Sequence, residues 1–176
     1  MGRSRDRFGE SPFPHFLTCT VVGWLPVFTR PETVRILLDS WQFLQDQGRL
    51  TLLGYVVLEN HVHFIASAGD LAKEVGDFKS YTARRVIDYL TERQVRTLLD
   101  GLEYHKARHK GDRPFQLWQE GSHPKVIETE EMLQQKLEYI HQNPVKRGYI
   151  SDPALYPLRW FNTGARSHTD GSSCSR

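Results

Sequence analysis

Between Leu50 and Ala68 the chain is almost wholly apolar, broken once by the polar pair Glu59-Asn60. Two apolar runs joined by so short a break read as neighbouring strands of a hairpin, one over residues 50–58 and one over 61–68. The first is apolar at nearly every position, as a strand buried on both faces must be. Such a hairpin needs cover, and the flanking segments supply amphipathic helices. Before it, Val34, Leu37, Leu38, Trp41 and Leu44 recur at helical spacing and form one apolar face. Thr29 with Glu32 three residues on has capping-box spacing, Pro31 falls in the first turn, and Gly48 is a natural stop. After the hairpin a second helix is predicted from near Asp70 to about Thr91, with Leu71, Val75, Phe78, Val86 and Leu90 on or near one side.

The other elements complete a recognisable order. A strand rich in β-branched and aromatic residues is predicted over 16–22, just after Pro14. Residues 103–113 read as a polar, basic loop, and 115–119 and 125–127 as short strands. A third helix starts at Thr129, with Glu130 and Glu131 favourable to its dipole, and is predicted to end near Asn143 because Pro144 disfavours α geometry before it. The order β-α-β-β-α-β plus a final helix is an α+β, ferredoxin-like plan: an antiparallel sheet with helices on one face and the other open for a ligand. One domain over residues 12–163 is expected, between a basic flexible tail over 1–11 and a second flexible tail over 164–176.

Composition removes several classes. With 176 residues and 20.5 kDa, the chain can bury a core without covalent staples. No apolar run reaches the roughly 18 residues of a membrane span, and the Arg-rich start has no apolar leader. The two cysteines, Cys19 and Cys174, make a disulfide or a Cys-based zinc site an unfavoured reading, and a cytoplasmic protein is expected. Lys and Arg total 23 against 21 Asp and Glu, so bulk charge alone does not mark a nucleic-acid binder.

The chemistry concentrates in two places. In Glu59-Asn60-His61-Val62-His63-Phe64-Ile65 the two histidines are i and i+2, so on a strand they project from one face while Val62 and Phe64 face the opposite layer. Two imidazoles side by side make two-thirds of a metal site; the plain alternative is a pair of exposed strand histidines. On the third helix, Leu133, Leu137 and Ile140 form an apolar stripe. Met132, Lys136, Tyr139 and Asn143 form a second stripe about 100° round, with Tyr139 and Asn143 neighbours at i and i+4. There the plain alternative is a rim tyrosine and a helix-end asparagine.

These residues together resemble a known family. The segment around His61-Val62-His63 resembles the HUH motif of single-tyrosine transposases. The run Tyr139-Ile140-His141-Gln142-Asn143-Pro144-Val145-Lys146-Arg147-Gly148-Tyr149 resembles the tyrosine-helix signature of the REP-associated tyrosine transposases, and Phe115 to Gly121 resembles the segment before it. The likeness runs from about Pro14 to Gly164. Leu58-Glu59 departs from the Met-Pro usual before Asn-His in that family, while both histidines are kept. The resemblance implies that Tyr139 is a nucleophile toward a phosphodiester of single-stranded DNA, leaving a 5′-phosphotyrosine and a free 3′-hydroxyl. It implies that His61, His63 and Asn143 bind a divalent metal, and that the DNA is a hairpin from a repeated palindrome. A mixed imidazole and amide-oxygen site suits Mg²⁺ or Mn²⁺.

Charge adds candidates for DNA contact: Lys106, Arg108, Lys110 and Arg113 in the loop, Lys136 on the third helix, and Lys146 and Arg147 after it. Tyr81 and the tryptophans Trp24, Trp118 and Trp160 are further aromatic candidates, with core packing the commoner role for each tryptophan. A homodimer and a monomer both fit the sequence. Two rival functions stand beside the transposase reading. One is a hairpin-binding protein that does not cut. The other is a metal hydrolase in which His61 and His63 work with an acid such as Glu59.

Overall fold

A computed structural model describes residues 13–146, apart from 108, 110 and 112, and the side chains of 144–146 are not described. The expected tails, Arg108, Lys110, Arg147 and Trp160 lie outside the described residues, as does the part of the expected domain beyond 146. The elements are β1 (His15–Thr20), α1 (Pro31–Asp46), β2 (Thr51–Val57), β3 (His61–Ser67), α2 (Leu71–Glu92), α3 (Arg96–Tyr104), β4 (Lys125–Val126) and α4 (Glu130–Lys146), with two 3-10 turns at Val22–Trp24 and Val27–Thr29. The strands form one antiparallel sheet in the order β2-β3-β1-β4. This is the α+β, split βαβ topology that the element order predicts.

Strand alternation sorts the core into two parts. Leu17 and Cys19 of β1, Tyr55 and Val57 of β2, and Val62, Phe64 and Ala66 of β3 face α1 and α2. There Trp41 stacks flat on Phe78 at 4.9 Å and also meets Tyr55 and Phe64 at 5.1 and 5.3 Å. Offset aromatic contact of this kind adds about 0.5–1.5 kcal/mol per pair beyond burial. On the opposite face Phe16, Val56, Leu58, Ile65 and Ile127 pack against Ile140, with Met132, Leu133 and Leu137 at the edge. The sheet's second face is therefore not left open as expected: α4 covers part of it. That is why β2, an edge strand, is buried on both sides. Its register slips between Leu52 and Gly54, and a Cβ at Gly54 would lie 2.9 Å from Leu137 Cδ2, so glycine is what lets α4 come this close.

Four local expectations are corrected. The Thr29–Glu32 capping box is not formed: α1 begins at Pro31 after Arg30, and the Thr29 hydroxyl instead donates to the Pro26 carbonyl at 3.0 Å. Residues 115–119 are not a strand, since Trp118 makes only an isolated bridge to Val21. The region before the loop contains α3, which carries no side-chain cap and follows a left-handed Gln94 (φ 53°), so no start signal marks it. Finally, α4 runs through Pro144 to Lys146 rather than ending at Asn143. Burial of Ile140 and Asn143 holds this last turn helical against the local preference before proline.

Candidate active site

The alternation of β3 that sends Val62 and Phe64 into the main core sends His61 and His63 to the face shared with α4. Both imidazoles are buried, at 3% and 7% exposure, so the reading as a pair of exposed strand histidines fails. Their rings meet edge to face at 4.8 Å. Buried imidazoles require hydrogen-bond partners, and β1 and the β2–β3 turn supply them. Register places Thr18 directly opposite His63, and its Oγ1 lies 2.8 Å from His63 Nδ1. His61 Nδ1–H donates to Asn60 Oδ1 at 2.6 Å. The same amide donates from Nδ2 to the Trp24 carbonyl at 3.3 Å, so one side chain ties His61 to the first 3-10 turn. Phe16 stacks on His63 at 5.3 Å and 23°, and Trp24 sits edge-on to His61 at 5.7 Å.

Across from this strand, α4 presents its second stripe. The Tyr139 ring stands edge-on to His63 at 5.4 Å and to Phe16 at 5.8 Å, while 40% of the residue stays exposed. The fold thus brings His61, His63 and Tyr139 into one aromatic cluster from segments some 76 positions apart in sequence, a distance of 139 less 63. Lys136, one turn back from Tyr139, holds its ammonium 5.4 Å over the Phe16 ring, a cation–π contact beside the nucleophile candidate. Asn143, one turn on, is buried at 6% exposure. Met132, at the start of the stripe, packs into the second core.

Among the described residues no three His, Cys, Asp or Glu gather closely enough to hold a metal ion. The donors that the structure brings side by side are the two imidazoles, with Asn143 one helical turn beyond Tyr139 on α4.

The other candidates separate. Lys106 is tied by its ammonium to the Arg113 carbonyl at 2.7 Å, closing the loop on itself, and the Arg113 residue is exposed. Lys146 is described only as the helical end of α4. Lys79 donates to the carbonyls of Gln119 and Gly121 at 2.8 and 2.6 Å, so it pins that segment. Trp118 is buried, its indole N–H donating to Thr82 Oγ1 at 3.0 Å, and Trp41 is core. Trp24, by contrast, is 56% exposed, and Tyr81 on α2 is half-exposed. The residues against the candidate site that sequence reasoning did not single out are Thr18, Phe16 and Asn60. Their signal was present: Phe16 and Thr18 fall at i and i+2 on a strand, and Asn60 directly precedes the histidine pair.

No protein-family model matches the chain, and no curated protein sequence matches it. Solved structures do. One, a REP-associated tyrosine transposase bound to a REP hairpin, superposes with a TM-score of 0.62 over 89% of this chain and 81% of that one, at 18% identity. Another, a candidate transposase from Deinococcus radiodurans R1, gives a TM-score of 0.45 over 81% and 97% of the two chains, at 20% identity. The chain has the fold of the REP-associated tyrosine transposase, the family its two motifs resemble.

Proposed function

We propose that this chain is a transposase-type, metal-dependent endonuclease and strand transferase for single-stranded DNA, with Tyr139 as nucleophile. The observation that carries the reading is Tyr139 packed edge-on against His63 yet exposed, so that a phenol oxygen can meet a phosphate beside a two-histidine site. The shared fold, and the hairpin held by the transposase of known structure, support hairpin DNA as the substrate.

The chain's own residues supply nucleophile, orientation and charge. The Tyr139 hydroxyl passes its proton to solvent as its Oη attacks phosphorus. The Oη–P bond forms, the P–O3′ bond breaks, and the departing 3′-oxygen takes a proton from water. The products are a 5′-phosphotyrosine and a 3′-hydroxyl, and reversal against another 3′-hydroxyl rejoins DNA without ATP. His61 and His63, with Asn143, would hold the divalent ion. Donation from Nδ1 to the Asn60 amide oxygen sets the tautomer of His61 with its acceptor lone pair at Nε2, and the Thr18 hydroxyl holds the His63 ring through Nδ1. When bound, Mg²⁺ or Mn²⁺ would polarise the scissile phosphate and offset its growing charge. Lys136 sits where it can pair with a neighbouring phosphate.

The test is a denaturing gel of protein incubated with labelled single-stranded hairpin DNA and Mn²⁺ or Mg²⁺. The expected result is a protein–DNA adduct that vanishes in Tyr139→Phe and with chelator. Metal-dependent cleavage that persists without an adduct in Tyr139→Phe would overturn the reading in favour of water activation. Binding without cleavage would leave a non-catalytic hairpin binder.

A further inference from the structure

Trp24 is the residue whose placement the proposed chemistry leaves unexplained. A bulky aromatic with φ at 54° lies in the left-handed region, which such side chains rarely enter, and it directly follows Gly23 at φ 61°. Strained backbone persists only where surroundings enforce it, and here they do. The Trp24 carbonyl is held by the amide that also holds His61. On the other side the His105 ring closes on Gly23 so tightly that a Cβ there would lie 2.2 Å from its Cδ2. The indole so positioned is not buried: Trp24 is 56% exposed, with its ring and the His61 ring meeting at a steep angle 5.7 Å apart. Tyr104, 84% exposed, stands edge-on to His105 at 5.0 Å and extends the aromatic surface, and Lys106 and Arg113 follow in the adjoining loop.

We propose that Trp24, locked by Asn60 and His105 and continued by Tyr104, is a stacking platform for an unpaired DNA base next to the phosphate at His61 and His63. The inference rests on the reading above for DNA as the ligand. An exposed indole suits an unpaired base, because every base has a π-face and stacking tolerates sequence. A protein partner would call for a broader apolar patch, whereas the residues packed around Gly23 and Trp24 are Asn60, His61 and His105. The platform would fix where along the strand the scissile phosphate falls, since a base anchored on Trp24 sets the register at Tyr139.

The experiment uses the full chain carrying Tyr139→Phe, in chelator, so that neither cleavage nor metal enters. Fluorescence anisotropy measures affinity for a labelled dT 20-mer and for a 20-mer of the same charge whose sugars are abasic. Phosphate contacts are equal in the two, so their ratio isolates stacking. The parent protein is expected to prefer dT by about 5- to 150-fold, the span that base–aromatic stacking gives. Trp24→Ala is expected to remove most of that preference and Trp24→Phe to restore part of it, with affinity for the abasic strand unchanged. An equal preference in Trp24→Ala and parent, or no preference in the parent, overturns the platform. Failure of the nuclease reading shows separately, as absence of the Tyr139 adduct in the otherwise unmodified protein.

Discussion

The two faces of one sheet divide the work of this molecule. Toward α1 and α2 the strands send Leu17, Val62, Phe64 and Tyr55 into a cluster built around Trp41 and Phe78. Toward α4 the same strands send Phe16, Thr18, His61 and His63, and the apolar packing shrinks to a patch around Ile140. β3 serves both, because its period of two lets Val62 and His63 answer to different neighbours. The first face is redundant and apolar, so it resists unfolding. The second is polar and exact in its hydrogen bonding, so loss of one group alters chemistry more than stability.

That contrast can be broken or sharpened in a graded way. The largest expected effect is on the second face: Tyr139→Phe abolishes the covalent adduct while leaving unfolding free energy within about 0.5 kcal/mol, checked by gel and by denaturant titration. On the first face, Trp41→Ala is expected to cost about 3–5 kcal/mol of stability by leaving a cavity among aromatic rings, read from the denaturant midpoint. A Trp41→Ala protein as stable as its parent would deny that the aromatic cluster carries the fold. Next comes Thr18→Val, which keeps shape but removes the bond to His63. It is expected to weaken Mn²⁺ binding about 10- to 100-fold in calorimetry, with little change in melting.

The smallest effect lies at the surface. Hydrogen bonds from Lys73 and then Arg49 hold the Asp77 carboxyl below its ordinary range, and Arg49 also pairs with Glu74 at 2.6 Å. A carboxyl depressed in the folded state favours folding above its unfolded pKa, and that contribution fades as pH falls through the folded value. The parent should therefore melt slightly above Asp77→Asn at pH 7, with the difference shrinking as pH falls below about 4, read from melting curves across that range. Exposed pairs of this kind are weak, so a large shift at neutral pH would contradict this account.

Much of this was legible in the residues, and the failures have physical causes. The apolar block of β2 and β3, the stripe Leu37–Trp41–Leu44, and the i, i+4 pairing of Tyr139 and Asn143 all follow from periodicity, which burial enforces. Capping at Thr29 failed because the turn before α1 engaged that hydroxyl with Pro26. α3 was missed because a nine-residue helix without a cap leaves no local signal. The site's residues were legible one element at a time. Their meeting was implied by the family resemblance alone and not by periodicity, because it depends on α4 crossing the sheet at Gly54 and on β1 lying beside β3. Trp24 stood among the tryptophans open to base stacking, with core packing as the commoner role. Its exposure follows from a left-handed backbone that composition does not announce.

The division between faces also orders the life of the chain on the ribosome. The buried set packed against α1 and α2 draws on residues no later than Trp118, whereas the patch under α4 needs Ile127 and Ile140. Synthesis runs from the N-terminus, and domains commonly begin to fold in that direction. The aromatic core can thus be sealed while His61 and His63 still await their tyrosine. A translation product that stops before α4 carries His61 and His63 without Tyr139.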